Sequence, residues 1–201
     1  QGIGRTLEVH AVVLARRHRC TKIRTEAVLD GRNKAGICFF EQLGWKPSFE
    51  VAGLRMWRNL LNLPPVELPS EYTIRTYRSG DESAFVRIIN GAFPEGWNYT
   101  LERFREEFLA SPHFQHDCIF FAVYRGECVG TATAWVGHHD GREIGRLHWV
   151  AVLPQHQRKG VATALCIQAL HKLSWLGYRE VILGTMEKLQ PAIQLYHRLG
   201  F

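Results

Sequence analysis

Arg146-Leu147-His148-Trp149-Val150-Ala151-Val152-Leu153-Pro154-Gln155-His156-Gln157-Arg158-Lys159-Gly160-Val161-Ala162-Thr163-Ala164-Leu165 changes pattern in the middle. Its first seven residues, rich in aliphatic and aromatic side chains, predict a strand that Pro154 brings to an end. From Gly160 onward the apolar positions Ala162, Leu165, Cys166, Ala169, Leu170 and Leu173 recur at spacings of three and four, which predicts a helix with one buried face. A strand, a glycine-bearing loop and a helix in this order have a physical use. The first N–H groups of a helix lack intrahelical partners and the dipole is positive there, so the loop can wrap backbone donors around an anion such as a diphosphate. Gly160 lets the backbone approach closely, Ala162 keeps the next turn slim, and Arg158 and Lys159 add positive charge. A basic helix start with no ligand is the alternative. No stretch matches the nucleotide-binding G-x-x-x-x-G-K-[ST] pattern, and Gly2-Ile3-Gly4 lacks the third glycine and preceding strand of a dinucleotide fingerprint.

Upstream, a strand at Tyr72 to Tyr77 precedes two helices near Glu82 to Ala92 and Leu101 to Leu109. Strands near Cys118 to Tyr124 and Cys128 to Val136 follow, with Arg125-Gly126-Glu127 as their turn. Downstream come a short strand at Glu180 to Gly184 and a helix ending in Leu199-Gly200-Phe201. Two anchors recur near the other end of the chain. Gly2-Ile3-Gly4-Arg5-Thr6-Leu7 matches Gly160-Val161-Ala162-Thr163-Ala164-Leu165 at an offset of 158, and Phe40-Glu41-Gln42-Leu43-Gly44-Trp45 matches Tyr196-His197-Arg198-Leu199-Gly200-Phe201 at an offset of 156. Self-similarity at nearly constant spacing predicts repeated architecture, including a strand near Lys22 to Ala27. Lys46 to Leu60 reads as two further short strands of the first copy, and the proline-rich stretch Asn62 to Pro69 as a linker. The expected division is therefore 1–60, the C-terminal half of a first and degenerate α/β unit; 61–70, a linker; and 71–201, a second unit lacking its last strands. The ends read as those of a piece of a longer tandem chain, a permuted or strand-donating arrangement being the alternative.

Composition narrows the function classes. With 46% hydrophobic residues in 201 the chain is long enough for a good core, and it has no apolar run long enough for a membrane span. The five cysteines are scattered, without a CxxC pair or zinc-ligand spacing, so reduced thiols in the cytoplasm and no metal are expected. Lys and Arg exceed Asp and Glu by 25 to 19 without a dense basic run, which favours an anionic ligand and gives no expectation of nucleic acid.

Gln157-Arg158-Lys159-Gly160-Val161-Ala162 after a strand, followed by Leu195-Tyr196-His197-Arg198-Leu199-Gly200-Phe201, resembles the GCN5-related N-acetyltransferase (GNAT) family over residues 71–201, and tandem, mycothiol synthase-like members have a comparable layout. The resemblance implies an α/β (α+β) fold with a mixed, mostly antiparallel sheet flanked by helices, and an acetyl-CoA-dependent N-acetyltransferase acting on a small-molecule or peptide amine. A non-catalytic acyl-CoA-binding or interaction module is the alternative. It implies that the backbone of Val150, Ala151 and Val152 pairs with the pantetheine arm. Gln157, Arg158, Lys159, Gly160, Val161 and Ala162 would hold the pyrophosphate, and Tyr196 would meet the departing thiolate. The second copy has Leu189 where the family carries a cofactor-contacting asparagine. The first has Asn33 at that place but Phe40 at the tyrosine's. Whether the chain pairs with itself is left open.

An alkylammonium acceptor near pKa 10.4 must lose a proton before attack, at a cost of about 4.6 kcal/mol at pH 7. His148 is matched to that task near neutrality, and the arylalkylamine branch of the family has a histidine at its place. A satisfied histidine on the other sheet face is the alternative. Glu95, Trp97 and Tyr99 lie on a segment expected to border the acceptor, and Asp140 or Glu143 are weaker candidates. Direct attack on the thioester is the expected mechanism. No supported Cys/His nucleophile pair is present, and Cys166 falls on the helix's buried side.

Overall fold

The computed structural model describes residues 3–18, 34–45, 53–93, 98–139 and 141–201, in two units, Gln1–Glu50 and Val51–Phe201. In the first unit α1 (Ile3–Arg17) meets α2 (Lys34–Gln42). A Cβ on Gly4 would lie 3.1 Å from the Phe39 ring, and the Trp45 indole donates to Glu8 Oε1 at 3.1 Å. The strand expected near Lys22 to Ala27 lies outside the described residues, as does Asn33.

The second unit runs β1 (Gly53–Asn59), β2 (Tyr72–Thr76), α3 (Glu82–Ala92), α4 (Leu101–Phe104), β3 (Ile119–Tyr124), β4 (Glu127–His139), β5 (Arg142–Val152), α5 (Val161–Trp175), β6 (Glu180–Met186) and α6 (Gln190–Arg198). Its sheet has the order β1-β6-β5-β4-β3-β2. Every neighbouring pair is antiparallel except β5 and β6. The tight turn between β3 and β4 is Arg125-Gly126, whose φ values of 48° and 85° suit a turn that follows the right-handed strand twist. Helix α5 covers one face of the sheet: a Cβ on Gly130 of β4 would meet Leu165 at 3.1 Å. On the other face Trp135 of β4 stands edge-on to Phe108, just beyond α4, with ring centroids 5.0 Å apart.

The two places where sequence repeats also close alike. Leu43 and Trp45 donate their N–H groups to the Phe40 carbonyl, and Leu199 and Phe201 donate theirs to that of Tyr196. Gly44 and Gly200 take φ of 81° and 82°, and the flanking rings meet edge-on at 5.8 and 5.9 Å. Each is a helix C-terminus closed by a left-handed glycine and an aromatic contact.

The unit boundary differs from the one read at 61–70. Gly53–Asn59, expected as part of the first unit, pairs with all of β6 from Gly53↔Met186 to Asn59↔Glu180. That side of β6 is therefore covered by β1. Arg58, buried to 8% exposure, donates to the Leu199 carbonyl at the end of α6, to Asn59 O at 2.6 Å and to Leu61 O at 3.3 Å. Through Leu199 it satisfies a helix-terminal acceptor that has no intrahelical partner. Burial holds its pKa below the ordinary arginine value. The proline-rich stretch is a strap leading from one edge of the sheet to the other. Pro64 O accepts from His171 of α5 at 2.8 Å, and Leu63, Val66 and Leu68 pack on the core. No helix among the described residues is long and apolar enough to cross a membrane.

Candidate active site

A parting in the sheet organises the site. Thr131 pairs with Ala151 and Thr133 with His148, so Trp149 and Val150 both stand opposite Ala132. Trp149 takes φ +47°, and such a bulge sharpens the local twist and re-aims the strand. The β5–β6 ladder consists of Gly145↔Val181 and Arg146↔Ile182, although β5 continues to Val152 and β6 to Met186. Past Arg146 the strands separate, and the backbone of Val150 and Ala151 lies along the gap. Gly184 of β6, two residues beyond the last pair, has nothing within 4 Å of where a Cβ would sit.

At the end of β5 the chain turns through Pro154–His156 into the loop before α5. His156 is buried, hydrogen-bonded to the Tyr72 hydroxyl at 2.9 Å and packed against the Tyr124 ring at 5.0 Å. The Gln157 side chain turns back to donate to Val152 O at 2.8 Å. Pinned from both sides, the loop takes left-handed φ at Arg158 (60°) and Gly160 (79°). Ala164 N–H reaches Gly160 O, so the N–H groups of Val161, Ala162 and Thr163 precede the first intrahelical bond. A Cβ on Gly160 would meet nothing within 4 Å, and Arg158 and Lys159 are exposed. Free helical donors beside two cations fit a diphosphate.

On the opposite face from α5, Glu107 gathers the polar groups. Helix α4 widens into a π-helical turn, Arg105–Leu109, whose buried Phe108 holds it to the sheet. Glu107 Oε1 accepts from Trp149 Nε1 and lies at hydrogen-bond distance from His148 Nε2, both at 2.8 Å. Its Oε2 accepts from the Tyr99 hydroxyl at 2.9 Å, and Arg103 Nε stands 3.8 Å away. Burial alone would raise the Glu107 pKa, but the bonds from His148, Trp149 and Tyr99 outweigh it and hold the carboxyl at about 2. His148 is pushed below its ordinary value, chiefly by burial and further by the charges of Arg146 and Arg103. Arg103 lies over the Tyr99 ring at 5.1 Å and the Trp149 ring at 5.6 Å.

Tyr196 belongs to the other face. It is 6% exposed, edge-on to Phe201, and its pKa is raised by burial and by nearby Cys166 of α5. His148 and Tyr196 thus approach the sheet from opposite sides.

Glu95, Trp97 and Asp140 lie outside the described residues. Tyr99 is 1% exposed, with its backbone held by Asn90 at 2.8 and 2.9 Å and its hydroxyl on Glu107. Glu143 is a strand residue that accepts from the Tyr178 hydroxyl, away from the Glu107 cluster. Glu107 and Arg103 went unnoticed in the sequence. Their one signal is that they precede the buried Phe108 and Phe104 by one residue each, which puts them at the margin of the apolar stripe.

Comparison with known proteins places the chain in a family. The model of the acetyltransferase (GNAT) family matches residues 83–201. The mycothiol acetyltransferase of Thermomonospora curvata is 36% identical over 143 residues, covering 69% of this chain and 47% of the relative. That of Thermobifida fusca is 34% identical over 146 residues, covering 67% and 45%. A solved GCN5-related N-acetyltransferase from Sphaerobacter thermophilus superposes with a TM-score of 0.64 at 26% identity, covering 86% of this chain and 54% of that one. The chain spans about half the length of the curated relatives it matches. With the motif, the parted sheet and the family match in agreement, this chain belongs to the GNAT acetyltransferase family.

Proposed function

We propose that the second unit is an acetyl-CoA-dependent N-acetyltransferase acting on a small-molecule amine. The single observation that carries the reading is the parting of β5 from β6 beside the helical N–H groups after Gly160 that precede the first intrahelical bond. Bound acetyl-CoA supplies an acetyl thioester whose carbonyl carbon takes the amine lone pair as the C–S bond breaks. Val161, Ala162 and Thr163 N–H groups with Arg158 and Lys159 hold the pyrophosphate, and the β5 backbone at Val150 and Ala151 orients the pantetheine arm. His148 removes one ammonium proton and passes it to solvent. Tyr196 hydrogen-bonds the departing sulfur, which keeps a second proton from the nitrogen, so the products are an amide, a thiol and one released proton. A tyrosine near its ordinary pKa of about 10 is already a weaker acid than a thiol near 8.5, and the upward shift of Tyr196 strengthens the case for hydrogen bonding over full proton donation.

Steady-state thiol release with a panel of amines tests the reading. Tyr196→Phe should lower kcat roughly ten- to a hundredfold, the worth of a hydrogen bond to a developing charge, with acetyl-CoA affinity by calorimetry unchanged. Full activity of that variant removes Tyr196 from the mechanism. Gly184→Val gives a separate check on the gap. A β-branched residue in a strand helps stability by up to about 1 kcal/mol, so the thermal midpoint should hold or rise while turnover falls at least tenfold. Unchanged turnover would mean that the ligand does not pass Gly184.

The first unit fits a degenerate copy of the same half-domain, a reading supported by the matching helix ends at Phe40 to Trp45 and Tyr196 to Phe201. Phe40 there lacks the hydroxyl that Tyr196 offers. A non-catalytic acyl-CoA-binding role has one observation in its favour: Leu189 precedes α6 without a side-chain cap, where an asparagine would be expected to reach the cofactor. The cysteines among the described residues are unpaired, which suits a reducing, cytoplasmic setting.

A further inference from the structure

We infer that Glu107 is a positioning residue that fixes His148 in the Nε2–H form and so makes Nδ1 the basic nitrogen of the acceptor site. The inference rests on the reading of His148 as the base. Glu107 is an acceptor-only carboxylate, and its two oxygens face nothing but donors: Trp149 Nε1 and His148 Nε2 at Oε1, the Tyr99 hydroxyl at Oε2, and Arg103 beyond. An indole N–H can only donate. A neutral imidazole carries one proton, and the 2.8 Å approach of Nε2 to a carboxylate oxygen requires that proton to be on Nε2. The lone pair is then on Nδ1, for which the described residues provide no hydrogen bond. The charged or titratable groups facing His148 are Glu107 and Arg103 from the α4 side and Arg146 from its own strand. Burial first, and then the two guanidiniums, favour the neutral ring that is ready to accept, and the carboxylate steadies the imidazolium once Nδ1 takes the acceptor's proton.

Glu107 sits in the π-helical turn Arg105–Leu109. Glu107 follows Arg103 by one turn and stays within 3.8 Å of it, and it lies in a wider turn closed by Ala110 N–H to Arg105 O at 2.9 Å, an insertion of a kind that recurs at functional sites. Phe104 and Phe108, both fully buried, lock the turn in place.

The test joins spectroscopy and kinetics. In the wild-type protein labelled with ¹⁵N-histidine, the His148 ring should show a protonated Nε2 and an unprotonated Nδ1 at pH 7. A protonated Nδ1 overturns the inference without any mutation. Glu107→Gln should still fold, less stable than wild type because the carboxylate's contribution is lost, and should bind acetyl-CoA within threefold of wild type, because the phosphate loop is built from other residues. Its kcat should fall at least a hundredfold with acceptor KM little changed, since the amide can donate to Nε2 and favour the wrong tautomer. The acidic limb of its pH–rate profile should move to lower pH, because the carboxylate that favours imidazolium is gone. Glu107→Asp should recover part of the loss. In a His148→Ala background Glu107→Gln should cost less than threefold more. Wild-type kcat and pH profile in Glu107→Gln, or full additivity with His148→Ala, would refute the positioning role. Wild-type turnover in His148→Ala alone refutes the base assignment itself, which separates the two failures.

Discussion

His148→Ala should lower kcat by roughly 10²- to 10⁴-fold at pH 7, the usual worth of a positioned general base, with acetyl-CoA binding intact because the phosphate loop is built from other residues. The pH dependence has a definite sign. The neutral ring is the active form and its pKa lies below the ordinary histidine value, so wild-type kcat/KM should fall only as pH drops below about 6.5, the unperturbed histidine value. In the alanine variant that limb should disappear, leaving the acceptor's own deprotonation to govern the profile. A basic-limb rescue, in which activity climbs with pH as free amine becomes available, would be the corroborating signature. Stability follows the same direction. A histidine whose folded pKa is depressed contributes stability that is present above its unfolded pKa and lost as pH falls through its folded one. Glu107, held at about 2 against an ordinary 4.5, adds a contribution lost between those values. Acid should therefore unfold the second unit and inactivate it through the same pair of residues.

Phe85→Ala should be the most damaging single truncation for folding. The ring is fully buried and touches Tyr99 at 5.6 Å, Phe104 at 5.0 Å, Phe108 at 5.4 Å, and Phe121 and Trp149 at 6.4 Å between centroids. Large-to-small changes at such a hub cost about 3–5 kcal/mol, from lost burial and from the cavity left behind. Denaturant unfolding should show a lower midpoint at an unchanged slope, and the thermal midpoint should fall by roughly 10 °C. Activity at low temperature should fall as well, because Tyr99 and Trp149 lean on this ring and donate to Glu107. A loss of less than 1 kcal/mol would mean that the surrounding aromatics collapse into the space.

What the sequence revealed was local. Helix α5 and the loop before it could be read because the apolar spacing, Pro154 and Gly160 lie within a few turns of one another. The β3–β4 turn was legible for the same reason, since Arg125-Gly126 carries its own geometry. The placement of Gly53–Asn59 beside Glu180–Met186 was not, because strands far apart in sequence carry no pattern that names their partner. The β5 bulge at Trp149 was equally hidden: its cause is a mismatch with Ala132 on another strand, and a tryptophan gives no hint of a positive φ. Glu107 escaped notice because it sits where a helical wheel puts a boundary residue, and its partner His148 lies 41 residues away on another element. The repeat between the chain's two ends was visible as letters and is matched in the helix ends at Gly44 and Gly200.

Strand β1 and strand β2 are joined in the chain by residues 60–71, yet they form the two outer strands of one sheet. Covalent neighbours are thus spatial opposites. A protease cut at Pro64-Pro65 would sever the chain without removing the strand, because seven register pairs with β6 and the reach of Arg58 to the end of α6 would still hold the smaller piece. The two fragments would travel together until denatured, and each alone would lack an element of the sheet that the other supplies.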